Sequence, residues 1–394
     1  MKLIISLYCL LISTTVYSQT GIDSLLAQVS RNNKAIQANR EYQLARKAEF
    51  KTGLTPYDPK VEYDYLSGTP AGAGNQRDFT ITQQLDFPTV YSSKRKLSDQ
   101  QSIQSDLQHR VFTLDILLNA KLEALELIYL NKQAVELKRR LARTQALVSD
   151  YQKKLDKGDA IILDVNKAKL QLLNIQQDVM LNDNTIRQTL TRLKELNGGM
   201  DVTLTDTIYP IVAQVPDFKT LDSLIEKNDP ILQVYEQEQL IRQQQITVQK
   251  RLNLPKIETG YHYQGILGQS YKGVHGGISI PLWENKNRIK AAEANLNYAN
   301  FSAINHRLEH QLENKQYFDQ LEVRKNAMAE YRRLLSSLNN AVLLDKALQY
   351  GQITIIQYAQ DERFYFDSYS RYLQLEAEYH KAIARLYKFK LTTN

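Results

Sequence analysis

Residues 276–288 read GGISIPLWENKNR, and this stretch decides the fold. Ile278, Ile280 and Leu282 are spaced two residues apart, as in a strand with one apolar face. Pro281 lacks an N–H group, so it suits the end or the edge of a sheet. The polar residues after it lead into a helical pattern dozens of residues long. The stretch therefore predicts a strand that is followed directly by a long helix.

The same plan occurs twice in the chain, which indicates a tandem duplication. Four segments recur in the same order, at offsets of 199, 196, 197 and 193 residues. The pairs are IDSLLAQVSRNN at 22–33 with LDSLIEKND at 221–229, PKVEYDY at 59–65 with PKIETGYHY at 255–263, ITQQLDF at 81–87 with ISIPLWE at 278–284, and KGDAIILDV at 157–165 with YGQITIIQY at 350–358. We predict a first repeat at 19–200, a connecting segment at 201–217 and a second repeat at 218–394. Each repeat should contain a helix of about thirty residues, two strands, a very long helix, a glycine turn and another helix.

Period-two alternation predicts one β-hairpin in each repeat, at 57–87 and 256–283. Glycine-rich turns are expected at 67–75 and 265–273. The apolar faces comprise Val61, Tyr63, Tyr65, Phe79, Ile81, Leu85 and Phe87 in the first hairpin and Ile257, Tyr261, Tyr263, Ile278, Ile280 and Leu282 in the second. Four strands cannot close a barrel alone, because closure needs about eight. Two solutions stay open here: a membrane barrel shared by several copies of the chain, or a small soluble sheet packed on helices.

The long helices are predicted from apolar residues at alternating steps of three and four. One seam comprises Ile103, Leu107, Val111, Leu114, Leu118, Leu122, Leu125 and Tyr129, and a less regular counterpart comprises Leu308, Leu312, Tyr331, Leu335, Leu338 and Val342. No proline or glycine lies between Tyr91 and Leu155, so this helix alone would be roughly 100 Å long. Gly158 and Gly351 are placed where a left-handed residue ends a helix. We therefore expect two long helical hairpins.

The N-terminus reads as an export signal at residues 1–18, with Lys2 before an apolar run and a small residue before Gln19. Cys9 follows a tyrosine in the middle of the apolar run, so we do not expect a lipid anchor there. After the signal, no apolar run approaches the roughly 20 residues of a membrane-spanning helix. The formal net charge of +7 is small for the length and forms no basic block, which argues against a nucleic-acid partner.

Together, the export signal, the duplication, the two β-hairpins, the two glycine-tipped coiled coils and the IPLW strand ending resemble the TolC family of outer-membrane efflux proteins. The resemblance covers about 21–387. Its most specific phrase is Ile278-Ser279-Ile280-Pro281-Leu282-Trp283, followed by Asn287-Arg288. The counterpart in the first repeat, QQLDFPTVYSSKRK at 83–96, lacks a proline at the matching point and places Pro88 later.

The resemblance implies a homotrimer, with four strands per protomer in a twelve-stranded outer-membrane barrel and the helices in a periplasmic tunnel. Pro281, Leu282 and Trp283 would lie at the junction of barrel and tunnel. The tips at Gly158 and Gly351 would dock on a periplasmic adaptor (membrane fusion protein), which joins an inner-membrane pump of the RND or ABC type. The protein would then be a passive exit duct of a tripartite efflux or type I secretion system, surrounded by outer-membrane lipid. It would need no catalytic residue, metal or cofactor.

The resemblance also implies a constriction near the tips. In the family, acidic residues commonly lie six and nine positions after the second tip glycine, and a basic residue lies two positions after it. The corresponding residues are Ile353, Gln357 and Gln360 after Gly351, with Asp361 and Glu362 beside them, and Asp164 and Lys167 after Gly158. Since the three usual positions are uncharged, we predict a constriction less anionic than the family pattern. Asp164 is equally consistent with an ordinary polar contact on a coiled-coil surface.

Two alternative functions fit parts of the sequence. HRLEH at 306–310 fits the pattern of inverted zinc peptidases, in which His306 and His310 would bind zinc and Glu309 would act on water. A solvated helix face explains the same five residues better. The second alternative is the periplasmic adaptor itself, which also combines helices and strands but carries a single helical hairpin.

Overall fold

The computed structural model describes residues 21–212, 214–338 and 340–391. The predicted signal peptide and Cys9 lie outside these residues. The helices are α1 Gly21–Asn32, α2 Lys34–Glu49, α3 Pro88–Asp156, α4 Ile162–Leu196, α5 Phe218–Asn228, α6 Pro230–Arg251, α7 Arg288–Ser337, α8 Asn340–Gln349 and α9 Ile355–Leu386, and the strands are β1 Lys60–Ser67, β2 Asn75–Leu85, β3 Lys256–Ile266 and β4 Gln269–Ser279. The predicted fold class, long helices with four strands per chain, is confirmed. Among the described helices, none combines the length and the apolar character needed to cross a membrane.

The four strands form one antiparallel sheet in the order β1-β2-β3-β4. Val61 pairs with Ile81 within the first hairpin, and Ile81 pairs with Tyr261 across the two repeats. The duplicated halves are therefore joined through β2 and β3. Strands β1 and β4 are the edges of the sheet, since each has one neighbouring strand within the described residues.

The turn of the second hairpin is tighter than predicted. Only Leu267 and Gly268 separate β3 from β4, and both have positive φ, 49° and 79°. Two residues in this conformation give the twist that matches the flanking strands. The predicted turn at 265–273 is therefore wrong. β4 in fact begins at Gln269, within the predicted turn. The sequence did not reveal this because glycines within β4, such as Gly273, interrupt the alternation of apolar and polar residues.

The strand end at the quoted stretch also differs from the prediction. β4 ends at Ser279, whereas we placed Ile280 and Leu282 in the return strand. Pro281 cannot donate a ladder hydrogen bond. The N–H of Leu282 instead donates to the carbonyl of Ile280 at 3.0 Å, which closes a tight turn around the proline.

The equivalent point in the first repeat is built differently. β2 ends at Leu85 and α3 begins at Pro88, so the helix starts earlier than the Tyr91 of our prediction. Proline fits the first position of a helix, because its missing N–H would have no partner there. In the second repeat the helix does not begin with a proline, and α7 begins only at Arg288.

The first helix of each repeat is two helices, not one of about thirty residues. The breaks lie at Asn33 and Asp229, which are equivalent in the duplication. The Asn33 side chain accepts a hydrogen bond from the N–H of Ile36 at 3.0 Å, and Asp229 accepts one from Ile231 at 2.8 Å. Both residues cap the helix that follows, which is why the chain breaks there.

The second long helix is also interrupted, whereas we predicted one helix up to the glycine turn. α7 ends at Ser337 and α8 begins at Asn340. The hydroxyls of Ser336 and Ser337 donate to backbone carbonyls three residues back, at 3.1 and 2.7 Å. Such side-chain bonds compete with the helical ladder and favour its end. α3, by contrast, continues over 69 residues.

The chain forms two compact units that do not coincide with the repeats. The first comprises the described residues of Met1–Asn32, Ala120–Ala213 and Tyr331–Ala377, and the second those of Asn33–Asn119, Gln214–Glu330 and Glu378–Asn394. Each has an apolar core, with Leu125, Leu127, Ile128, Val165, Ile175, Leu193 and Leu373 in the first and Leu114, Leu117, Leu221, Ile225, Leu321 and Leu386 in the second. Each unit takes elements from both repeats.

Candidate functional site

The two faces of the sheet have opposite chemistry. Residues paired in register share a face, because side chains alternate along a strand. One face carries the row Val61, Ile81, Tyr261 and Val274 and the row Tyr63, Phe79, Tyr263 and Lys272. The other carries the row Glu62, Thr80, His262 and Gly273 and the row Asp64, Asp78, Gln264 and Tyr271.

The apolar face is exposed in the protomer. Val61 and Tyr63 are 61% and 63% exposed, and Val274 is 93% exposed. A contiguous apolar surface of this kind marks contact with a membrane or a protein. The alternative of a sheet covered by its own helices therefore does not hold for this face.

Polar contacts hold the ends of the strands next to the helices. The side chain of Asn285, in the turn before α7, donates to the carbonyl of Leu252 after α6 at 2.8 Å. Gln83 in β2 donates to the carbonyl of Tyr57 before β1 at 2.6 Å. The side chain of Trp283, two residues before Asn285, is 80% exposed. Together with the exposed Ile280 and Leu282, it forms an apolar rim where the sheet ends.

The first hairpin tip is a regular helix ending with an apolar surface beyond it. Gly158 has φ of 83°, and the N–H of Asp159 donates to the carbonyl of Lys154 at 2.8 Å. This is the Schellman arrangement expected at a left-handed glycine. The three residues that follow, Ile161, Ile162 and Leu163, are each more than half exposed.

Asp164 and Lys167, the predicted constriction residues of the first tip, form an ion pair with each other. Lys167 Nζ lies 3.2 Å from Asp164 Oδ1, one helical turn away on α4. Both side chains are partly exposed. The pair satisfies Asp164 within its own helix, as in an ordinary surface contact, and such pairs contribute little to stability.

The second tip is capped by its own polar residues. Gly351 has φ of 69° and ends α8 as Gly158 ends α3. Gln357 Oε1 accepts from the N–H of Thr354 at 2.9 Å, while the Thr354 hydroxyl accepts from the N–H of Gln357 at 3.3 Å. This reciprocal pair is a capping box at the start of α9. Gln357 therefore serves the helix end, while Gln360 and Asp361 are exposed.

Glu362, which we considered as a source of gate charge, is buried. It forms a two-pronged ion pair with Arg140 of α3, at 3.4 and 3.3 Å, and accepts from Gln171 of α4 at 3.3 Å. The Arg140 guanidinium also stacks on Phe366, 3.9 Å from the ring centre. Glu362 thus joins α9 to α3 and α4, and its charge is neutralised within the protomer.

A tyrosine strengthens the same tip. The hydroxyl of Tyr358 in α9 donates to Asp345 of α8 at 2.9 Å. Burial, and then this hydrogen bond, raise the pKa of Tyr358 well above its usual range, so it is always a donor.

The histidines of the HRLEH segment are occupied by other contacts. His310 Nε2 lies 2.9 Å from Asp229 Oδ2, and Glu309 accepts from Asn305 at 2.9 Å. His306 stacks on Tyr235 at 4.4 Å between ring centres. Within the described residues, no three His, Cys, Asp or Glu side chains converge as a metal site would require.

Two features of the site were missed by the sequence analysis. Arg140 is 222 residues from Glu362 in the chain, so no local pattern links them. The capping box of Thr354 and Gln357, by contrast, was readable from the spacing Thr-x-x-Gln.

No known protein family and no curated protein matches the sequence. Solved structures do match the fold over nearly the whole chain. CusC, known from crystal structures of its folding and transmembrane channel formation, matches with a TM-score of 0.78 at 14% identity over 95% of this chain and 92% of that one. The outer membrane channel CmeC of Campylobacter jejuni matches with 0.70 at 13% identity, over 94% and 85%. The outer membrane channel MtrE of Neisseria gonorrhoeae, in its open state, matches with 0.64 at 11% identity, over 95% and 93%. The chain thus has the fold of solved outer-membrane channels.

Proposed function

We propose that this protein is an outer-membrane exit duct of a tripartite efflux or type I secretion system, and a member of the TolC family. In this role it conducts molecules passively, while an inner-membrane pump supplies the energy. The observation that carries the proposal is the sheet, with one exposed apolar face, one polar face and two open edges, in a chain whose fold is that of outer-membrane channels.

The open edges require further copies of the chain. Unpaired N–H and C=O groups at β1 and β4 cannot stay unsatisfied in a lipid environment. Pairing β4 of one copy with β1 of the next satisfies both edges. Three copies supply twelve strands, which closes a barrel with lipid outside and water inside.

The helices next to these edges are suited to the same contact. α7 follows β4 and has an exposed apolar seam (the α7 seam), which comprises Tyr298, Phe301, Ile304, Leu308 and Leu312. α2 precedes β1 and has an exposed face of mostly small residues, which comprises Ala35, Ala38, Tyr42, Ala45 and Ala48. Large side chains on one helix fit against small ones on the other, as in knobs-into-holes packing. When β4 meets β1 of the next copy, α7 meets α2 of that copy.

The hairpin tips are the proposed docking points for the periplasmic adaptor. The exposed Ile161, Ile162 and Leu163 beside Gly158 provide apolar surface at the first tip. Tyr350 and Ile356 provide it on either side of Gly351 at the second.

Cell fractionation with native mass spectrometry tests the proposal. We expect the protein in the outer-membrane fraction, soluble only with detergent, with a mass of three protomers. A soluble periplasmic monomer would contradict the proposal and favour the adaptor. Co-purification of the adaptor with the wild-type chain, and its loss when Ile162 and Leu163 are changed to Ser, tests the docking points.

A further inference from the structure

The four ends of the strands that adjoin helices lie at one edge of the sheet. Antiparallel order places the start of β1, the end of β2, the start of β3 and the end of β4 side by side, as the pairs Lys60–Thr82 and Lys256–Ser279 show. The chain therefore enters the sheet twice and leaves it twice at this edge. We call the flanking segments the junction.

Exposed basic residues are concentrated at the junction. Eight of them make up what we call the basic belt: Lys51, Arg95, Lys96, Lys250, Arg251, Lys286, Arg288 and Lys290. All lie within roughly three helical turns, or about eleven residues, of a strand end. Fewer acidic residues share these segments.

The acidic residues at the junction do not neutralise the basic belt. Glu49, Asp86 and Glu284 pair with other basic residues, namely Arg46, Lys94 and Lys256. Asp58, Asp99 and Glu293 are the further exposed carboxylates of the flanking segments. Eight basic charges therefore face three acidic ones, and a trimer would multiply this excess by three.

The apolar rim lies at the same edge of the sheet as the basic belt. Trp283 is highly exposed, and Ile280, Leu282 and Tyr57 are exposed beside the strand ends. Aromatic rings favour the boundary between hydrocarbon and headgroups. An apolar rim followed by cationic side chains matches, in order, the acyl chains and the phosphate layer of a lipid surface.

We propose that the basic belt binds the anionic headgroups of phospholipids at the membrane surface next to the junction. This inference rests on the proposed function, since it requires the apolar face of the sheet to lie in a bilayer. Arg and Lys hold lipid phosphates by charge-assisted hydrogen bonds. The bound headgroups would fix the depth of the sheet in the membrane and its position relative to the helices.

Trp283 gives a direct test, because it is the single tryptophan of the chain. The full-length protein is reconstituted in phosphatidylcholine vesicles with a minor fraction of phosphatidylglycerol, and one lipid or the other carries bromine on its acyl chains. Bromine quenches tryptophan fluorescence only at contact. The mole fraction of brominated lipid is the same in both preparations. We expect phosphatidylglycerol to be favoured about fivefold over phosphatidylcholine at Trp283, the effect of roughly one cationic contact. High salt should remove the preference, because the charges are exposed.

Variants identify the residues responsible. Arg95→Gln, Lys96→Gln, Lys286→Gln and Lys290→Gln combined should abolish the preference. Lys96→Arg, Lys286→Arg and Lys290→Arg combined should retain it. Lys153→Gln, Lys154→Gln, Lys157→Gln and Lys169→Gln combined, at four exposed lysines of the first hairpin, is the matched control and should change nothing. Equal quenching by both lipids, or a preference that survives the fourfold variant, would overturn the inference alone. Absence of quenching by either lipid would instead overturn the proposed function.

Discussion

α3 and α7 have the same place in the two repeats, but they bury their apolar residues differently. Leu114, Leu117 and Leu127 of α3 are almost completely buried within the chain. Phe301 and Leu308 of the α7 seam are 73% and 54% exposed. Leu321 of α7 is buried in the core, so the uncovered part of α7 is the seam, and we infer that the partner of the seam lies outside the protomer. In the proposed trimer, the α7 seam of the second repeat meets α2 in the first repeat of the next copy.

Charge on the α7 seam should give the largest effect. Phe301→Glu with Leu308→Glu puts two charges where we expect apolar contact, and each side chain contributes about 1.5–3 kcal/mol when fully buried. We expect complete loss of the trimer with helicity unchanged, measured by native mass spectrometry and circular dichroism. Asn295→Glu, an exposed position of α7 outside the seam, is the control and should leave the trimer intact. A trimer that tolerates the double variant would mean that the seam has another role.

The ion pairs of the two hairpins should differ strongly in effect. Glu362→Ala leaves Arg140 buried and unpaired, which should cost about 3–5 kcal/mol in the free energy of unfolding. Asp164→Asn removes a partly exposed pair and should cost less than about 1 kcal/mol. Denaturant unfolding of the detergent-solubilised protein measures both values. Similar costs for the two variants would show that the buried pair is not the stronger contact.

Truncation of the α3 core should separate stability from assembly. Leu117→Ala removes a fully buried side chain and should cost about 2–5 kcal/mol. Leu308→Ala in α7 should leave the unfolding free energy of the protomer nearly unchanged and weaken the trimer. The two variants are compared by unfolding at a protein concentration where wild type dissociates. If Leu308→Ala destabilises the isolated protomer as much as Leu117→Ala, the contrast between the helices fails.

The two helix caps should differ in their response to pH. The hydrogen bond with Asp229 raises the pKa of His310, and the nearby carboxylates of Glu313 and Asp222 raise it further. Burial lowers this pKa, but by less. Burial alone would raise the pKa of Asp229, but His310, the N–H of Ile231 and Lys388 lower it on balance. The cap of the first repeat, Asn33, has no titratable side chain.

The sign of each shift fixes the pH window. The His310 contribution is complete below its ordinary pKa of 6.5 and is lost as pH rises through the raised value. The Asp229 contribution is present above 3.8 and is lost as pH falls through the lowered value. Loss of the cap in Asp229→Ala or Asn33→Ala should lower the free energy of unfolding by about 1 kcal/mol between pH 3.8 and pH 6.5. Asp229→Ala should lose the part of its cost that comes from the pair with His310 as pH rises through the raised pKa of His310, whereas the cost of Asn33→Ala should not change with pH. An equal pH response of both variants in thermal unfolding would contradict the assignment.

The smallest effect is expected at the gate. If the tips form the constriction that the TolC resemblance implies, Gln357 and Gln360 lie where acidic residues are usual. Glu362 is neutralised by Arg140, so Asp361 is the exposed carboxylate beside them. We predict weak block by divalent cations in single-channel recordings, with little change in Asp361→Asn. Strong block that this substitution removes would show that Asp361 carries the charge of the constriction.

Periodicity was sufficient to predict the strands and the long helices, because their apolar residues repeat at fixed steps. The breaks at Asn33 and Asp229 were readable in principle, since Asp229 precedes a proline that fits the first helical position. The Leu267 turn was missed because leucine rarely adopts positive φ. The pair of Arg140 and Glu362 depends on tertiary packing, and so does the exposure of the α7 seam. An apolar stripe predicts that a helix will be covered, but not whether by its own chain or by another copy.

Disulfide cross-linking between the edges of the sheet tests the central claim most directly. Cys9, the single cysteine of the sequence, is changed to Ser, so engineered cysteines report alone. Tyr63→Cys on β1 is combined in turn with Ser270→Cys, Lys272→Cys or Val274→Cys on β4, all on the same face. Three strand spacings separate β1 from β4 in one protomer, about 14 Å, which is too far for a disulfide. We predict that at least one pair gives a covalent ladder of one, two and three chains in intact cells, ending at three. Single chains under every pairing would contradict a barrel shared by copies of this protein.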